Sequence, residues 1–220
     1  MSCVEITSVT LSAVSEWIVQ NWLEEVAFVS SAVGVWLTTR RSLICWPVIL
    51  VSCILYGEVF REARLLSDML LQGVFAACAV YGWWHWVRGV QTEGSVTVEV
   101  LGWRGWVWGL AAGAAGSVIL GFAMARYFHA SLPWLDSALT SFSLVGQWWQ
   151  ARKYLANWWL WIVVDLIYIG EYVYKHLNLT AGLYALFVAL AVLGLRDWRK
   201  ALERQEAEAM AGVLERECRS

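Results

Sequence analysis

The stretch WVWGLAAGAAGSVILGFAMA, residues 106–125, decides how this chain is built. It carries no charge, and as a helix its length matches a hydrocarbon core of roughly 30 Å. Three further apolar runs precede it, near residues 22–39, 43–60 and 65–87, and three follow, near 135–151, 155–174 and 177–195. All are expected to be helices, because lipid offers no partner to open backbone groups and none of the runs alternates as a barrel strand does. The expected fold is all-α and integral to a membrane, with seven transmembrane helices.

The place of that lone central run follows from a repeat. When the chain is slid against itself by 112 residues, Glu24 meets Asp136, Ser31 meets Ser143, Gly34 meets Gly146 and Trp36 meets Trp148. In the same register Arg40 and Arg41 meet Arg152 and Lys153, Trp46 meets Trp158, Tyr56 meets Tyr168, Gly82 meets Gly194 and Trp86 meets Trp198. Two three-helix units of equal orientation cannot be joined directly, since three crossings leave the chain on the wrong side of the membrane. Residues 106–125 carry it back. The layout is three plus one plus three, two parallel repeats related by an axis along the membrane normal. The expected divisions are an extracytoplasmic arm at 1–21, the first repeat at 22–88, a cytoplasmic loop and linker helix at 89–132, the second repeat at 133–200 and a charged cytoplasmic tail at 201–220. Within the linker, the spacing of Gly109, Gly113 and Gly116 suits close helix packing.

Composition agrees with a lipid environment. Hydrophobic residues make up 60% of the chain and charged ones 15%, against about 25% charged in soluble domains. The 17 tryptophans fit many membrane interfaces, where an apolar ring meets a wet headgroup layer. Trp22, Trp46, Trp103, Trp106, Trp134, Trp158 and Trp198 sit near run ends, as such anchors do, whereas Trp36, Trp83, Trp148 and Trp161 lie deeper. A net charge of −2 gives no footing for nucleic acid. Cys3, Cys45, Cys53, Cys78 and Cys218 form no CxxC, and His85, His129 and His176 are dispersed, so no metal site is expected. The first 20 residues lack the basic start of a secretory signal. There is no phosphate-binding GxxxxGK[ST] loop, no nucleophile elbow and no HExxH, so neither an enzyme activity nor a cofactor is expected.

Basic residues orient the chain. With the C-terminus in the cytoplasm, 12 of the 16 Lys and Arg lie inside, among them Arg40, Arg41, Arg152 and Lys153. Arg61, Arg64, Arg126 and Lys175 are left outside. The positive-inside rule then sets the N-terminus outside and the C-terminus in the cytoplasm.

Asp165 stands near the middle of the sixth run, where a carboxylate costs at least a few kcal/mol unless it is paired, protonated or wet. At helical spacing Trp161, Asp165, Tyr168 and Tyr172 share one face. A flat cationic or polar ligand suits such a face, and an interhelical hydrogen bond that merely holds the bundle suits it nearly as well. The third run puts Gln72, Ala76, Ala79 and Trp83 on one side, and the fifth puts Thr140, Ser143, Gln147 and Gln150. These polar stripes point inward, to neighbouring helices or to a cavity. Glu24, Glu25, Glu58, Asp68, Asp136 and Glu171 gather toward the outer side, where they could attract cations or simply fill the side that basic residues avoid.

Three stretches resemble the PnuC-type vitamin transporters: SDMLLQGVFAACAVYGWWHW at 67–86, WLDSALTSFSLVGQWWQARKYLANWWLWIVVDLIYIG at 134–170 and LTAGLYALFVALAVLGLRDWRK at 179–200. The resemblance implies a fold like that of a full-length SWEET transporter, often trimeric. It also implies facilitated diffusion of an unphosphorylated vitamin across the cell inner membrane, with a separate kinase trapping it afterwards. Nicotinamide riboside is the substrate it suggests first, with thiamine or another vitamin or nucleoside as the alternative. A membrane scaffold subunit is the reading without transport. Partners are then a small-molecule substrate, lipid and further copies of the chain. The expected substrate-binding set is Gln72, Trp83, Gln147, Trp148, Asn157, Trp161, Asp165 and Tyr168. Glu58 and Glu171, where the pattern has apolar residues, are possible attractors of cations.

Overall fold

A computed structural model describes residues 22–23, 25–62, 66–89, 96–127, 133–174, 176 and 178–219. The arm at 1–21 and the expectations for Glu24, Arg64, His129 and Lys175 lie outside the described residues. Those described form helices α1 (Glu25–Thr39), α2 (Cys45–Glu62), α3 (Leu66–Val87), α4 (Trp103–Tyr127), α5 (Pro133–Ala151), α6 (Ala156–Tyr174) and α7 (Asn178–Arg219). No strand occurs among them; Glu99 and Tyr154 form an isolated bridge. The seven helices correspond one to one with the seven apolar runs. At the C-terminal end α7 continues unbroken for 42 residues, because the Ala, Glu and Arg that follow Lys200 are good helix formers and no proline stops them. Taken on hydropathy alone, α4 and the first part of α7 are the described helices most suited to lipid, with mean hydropathies of 1.7 and 1.5. In α5 and α6 the inward-facing Ser, Gln, Trp and Tyr dilute the apolar character. On the outside, Trp108, Ile119 and Phe122 of α4 are exposed, a surface that water would not tolerate and lipid does.

The repeat read in the sequence is repeated in three dimensions. Each α1-type helix ends in the same six-residue closure, with a cation in left-handed backbone where glycine is usual: Arg41 at φ 54° and Lys153 at φ 65°. In the first, Arg41 N donates to Thr38 O at 2.9 Å and Ser42 N to Leu37 O at 3.1 Å. In the second, Lys153 N donates to Gln150 O at 3.0 Å and Tyr154 N to Trp149 O at 3.0 Å. Gly82 lies flat on the ring of Trp46, and Gly194 on that of Trp158. Trp46 and Trp86 meet edge to face at 5.2 Å and 89°, Trp158 and Trp198 at 5.5 Å and 88°.

The repeats also exchange contacts reciprocally. Trp86 Nε1 donates to Gln150 O at 3.2 Å, and Trp198 Nε1 donates to Thr38 O at 3.1 Å. Donors and acceptors are equivalent under the 112-residue shift, as a two-fold relation between the units requires. The four tryptophans, each at most 1% exposed, form the centre of the core at the end of the bundle carrying the basic turns, so Trp46, Trp158 and Trp198, expected as interface anchors, pack inside the protein instead.

Helix α4 belongs to neither repeat and packs on α5. Gly109 meets Trp149, Gly113 meets Phe142, Gly116 meets Ser141 and Gly121 meets Trp134, so the small-residue face lets the two backbones approach. Ser141 Oγ donates to Gly113 O at 2.8 Å across that contact. The equivalent face of the first repeat, lined by Val26, Val29, Val33, Val48 and Val51, is an open apolar groove.

Candidate functional site

Between the repeats lies a cavity of about 570 Å³. Its wall is built from equivalent positions of the two units: Ser31 and Ser143, Val35 and Gln147, Ile49 and Trp161, Cys53 and Asp165, Tyr56 and Tyr168, Phe60 and Tyr172, Gln72 and Tyr184, Phe75 and Phe187. The cavity therefore sits on the axis relating the repeats. Its chemistry is lopsided. Where the first repeat offers Val35, Ile49, Cys53 and Phe60, the second offers Gln147, Trp161, Asp165 and Tyr172. Gln72 is the main polar contribution from the first repeat's α3.

Helix α6 contributes Trp161, Asp165, Tyr168 and Tyr172, the face expected from helical spacing. Trp161 is oriented by its own indole, which donates to Gln150 Oε1 at 3.2 Å. Gln150 in turn accepts from Trp86 through its backbone, so the cavity floor connects directly to the tryptophan core. Tyr168, Tyr172 and Tyr184 form an aromatic wall with ring centroids 4.6 to 5.8 Å apart. Asp165 is 5% exposed, and among the described residues no basic side chain pairs with it. Asp165 and Glu25 are the acidic groups of a lining otherwise made of aromatic rings, amides, hydroxyls, aliphatic side chains and the Cys53 thiol.

Of the sequence-derived set, Gln72, Gln147, Trp161, Asp165 and Tyr168 line the cavity together. Trp83, Trp148 and Asn157 do not. The inward stripe of α3 runs through Phe75, Ala79, Gly82 and Trp86, so Trp83 falls at its edge and is 41% exposed. Trp148 faces outward beside Gln147 and stacks on Tyr81 at 5.0 Å and 10°. Arg152 donates to the Tyr81 hydroxyl at 3.3 Å, and this bond with a second to Tyr154 raises the guanidinium above its usual value, so it stays charged. Asn157 is fully buried in the first turn of α6, where Nδ2 donates to Tyr154 O at 2.6 Å in the preceding turn. Glu58 pairs with Arg61 on the surface away from the cavity, and Glu171 is buried on α6 outside its lining. Polar cavity residues that sequence reasoning missed include Ser52 and Tyr56 on α2 and Thr180 and Tyr184 on α7. Carrying Tyr168 and Gln72 through the 112-residue shift points to Tyr56 and Tyr184.

A bundle of two parallel triplets with a lone linking helix and a cavity on the axis between them defines a membrane transporter of the repeat type. The sequence profile described as nicotinamide mononucleotide transporter matches residues 21–200, and the chain belongs to that family. Among curated relatives, the riboflavin/roseoflavin transporter RibM of Streptomyces davaonensis is 29% identical over 198 residues, covering 87% of this chain and 91% of that one. The nicotinamide riboside transporter PnuC of Escherichia coli is 21% identical over 216 residues, covering 87% and 90%. The crystal structure of the vitamin B3 transporter PnuC superposes with a TM-score of 0.71 at 22% identity, covering 93% of this chain and 94% of the other, a likeness of fold.

Proposed function

We propose that this chain imports nicotinamide riboside across the cytoplasmic membrane by facilitated diffusion, with a separate kinase phosphorylating the vitamin inside. The observation that carries the substrate is Asp165. A carboxylate without a basic partner, set among aromatic rings at the centre of a membrane cavity, favours a ligand that brings its own positive charge on a flat ring. The pyridinium of nicotinamide riboside has that form. Trp161 and Tyr168 would flank the ring, while Gln72 and Gln147 would meet ribose hydroxyls through their amides. Transport then proceeds by rocking of repeats 22–88 and 133–200 about the axial cavity. The N-terminus lies outside and the C-terminus inside, and the assembly is a homotrimer.

A second reading is riboflavin, supported by the 29% identity to the riboflavin/roseoflavin transporter. Riboflavin is uncharged, so it gives Asp165 no counter-charge. Binding measured for nicotinamide riboside, riboflavin and thiamine with the purified protein separates the three. Tightest binding of nicotinamide riboside is the expected result, and preference for either other vitamin overturns the assignment.

A further inference from the structure

The segment joining α3 to α4 does not simply loop past the basic end of the bundle. Val96 and Val98 are 2% and 5% exposed and belong to the same core as the four tryptophans and Cys45. Glu99 N donates to Lys153 O at 2.9 Å, and Leu155 N donates back to Glu99 O at 2.9 Å, which pins Glu99 to the second repeat's turn through an isolated parallel bridge with Tyr154. The Lys153 ammonium, 7% exposed, pairs with Glu99 Oε1 at 3.7 Å and packs on Gly89. From the first repeat, Arg41 Nη1 donates to Val96 O at 3.3 Å. Arg41 and Lys153 are equivalent under the internal shift, and both are held in left-handed backbone that disfavours a side chain. From α7, the Gln205 amide, turned to suit its partners, bridges Val98 N and Val98 O at 3.2 Å each.

One short segment is thus gripped by the same residue position of both repeats and by the helical tail beyond them. If the repeats rock apart at this end, that grip must be released, because the segment cannot follow two turns that separate. We propose that residues 96–100 are an inner latch, whose attachment through Glu99 to the Lys153 turn holds the cavity shut toward the cytoplasm and whose detachment permits inward opening. This rests on the transport reading and orientation given above, but not on the identity of the vitamin.

Cys45 is a built-in reporter, since it is 0% exposed and belongs to the same buried cluster as Val96 and Val98. The test uses the full chain with Cys3, Cys53, Cys78 and Cys218 replaced by serine, and measures the rate at which a maleimide labels Cys45. In E99K the ion pair becomes a repulsion, and labelling is expected to quicken by about fivefold or more. The charge exchange E99K/K153E should return the rate toward that of the parent. Q205A, which frees the segment from the tail alone, should give a smaller acceleration and covers the case in which E99K does not fold. Thermal unfolding checks that the variants remain native. Labelling at the parent rate in the folded variants overturns the latch. Failure of nicotinamide riboside to bind would overturn the substrate instead and leave the labelling result standing.

Discussion

Replacing Asp165 by asparagine keeps the size of the side chain and removes its charge. Because Asp165 is 5% exposed and has no basic partner among the described residues, burial opposes its ionised form and a cationic ligand would supply the counter-charge that favours it. A hydrogen bond to a charged group contributes about 1.5–3 kcal/mol, so D165N should weaken nicotinamide riboside binding by roughly 10- to 150-fold. Trp161 lies on the same wall, so quenching of tryptophan fluorescence can follow the titration directly. Riboflavin and other uncharged rings provide the control, because their affinity should change little. Unfolding temperature should not fall, since no ion pair is lost. If D165N binds nicotinamide riboside within about twofold of the parent, the carboxylate does not recognise the cationic ring and the reasoning fails.

Other outcomes follow from the geometry. Trp83→Ala, outside the cavity, should leave vitamin affinity unchanged in the same titration. Trp86→Phe and Trp198→Phe each remove one buried indole bond across the repeats, and each should lower stability by about 1–2 kcal/mol in thermal or denaturant unfolding; a large inequality would contradict the reciprocal exchange. Gly194→Ala places a methyl group 2.5 Å from the Trp158 ring and should cost about 1–3 kcal/mol, as should Gly82→Ala against Trp46.

Much of the fold was legible because lipid demands uninterrupted apolar helices and because duplicated units leave a register behind. The paired cations at 40–41 and 152–153 and the tryptophans that recur after 112 residues are the same groups that close the turns and cross between the repeats in space. On α6 a single helical face was enough to bring Trp161, Asp165, Tyr168 and Tyr172 together, since one rigid element fixes their directions. Trp83 and Trp148 show where this stops: one position on a helix is a turn of 100°, and depth along the chain does not say which way a ring points. Asn157 lies outside the cavity lining for another reason. At the start of a helix the preceding turn has backbone carbonyls to satisfy, and an amide can serve them as readily as it serves a ligand. The place of α7 in the cavity lining was hidden because Tyr184 carries no charge to single it out among apolar neighbours. Nor could the sequence reveal that residues 96–100 are gripped from both repeats, since that depends on three distant segments meeting.

The most direct test of transport is uptake of labelled nicotinamide riboside into liposomes containing the purified protein, without ATP and down a concentration gradient. Entry faster than into empty vesicles, saturable and reduced in D165N at low substrate concentration, is the result this account predicts. Entry no faster than into empty vesicles would contradict it.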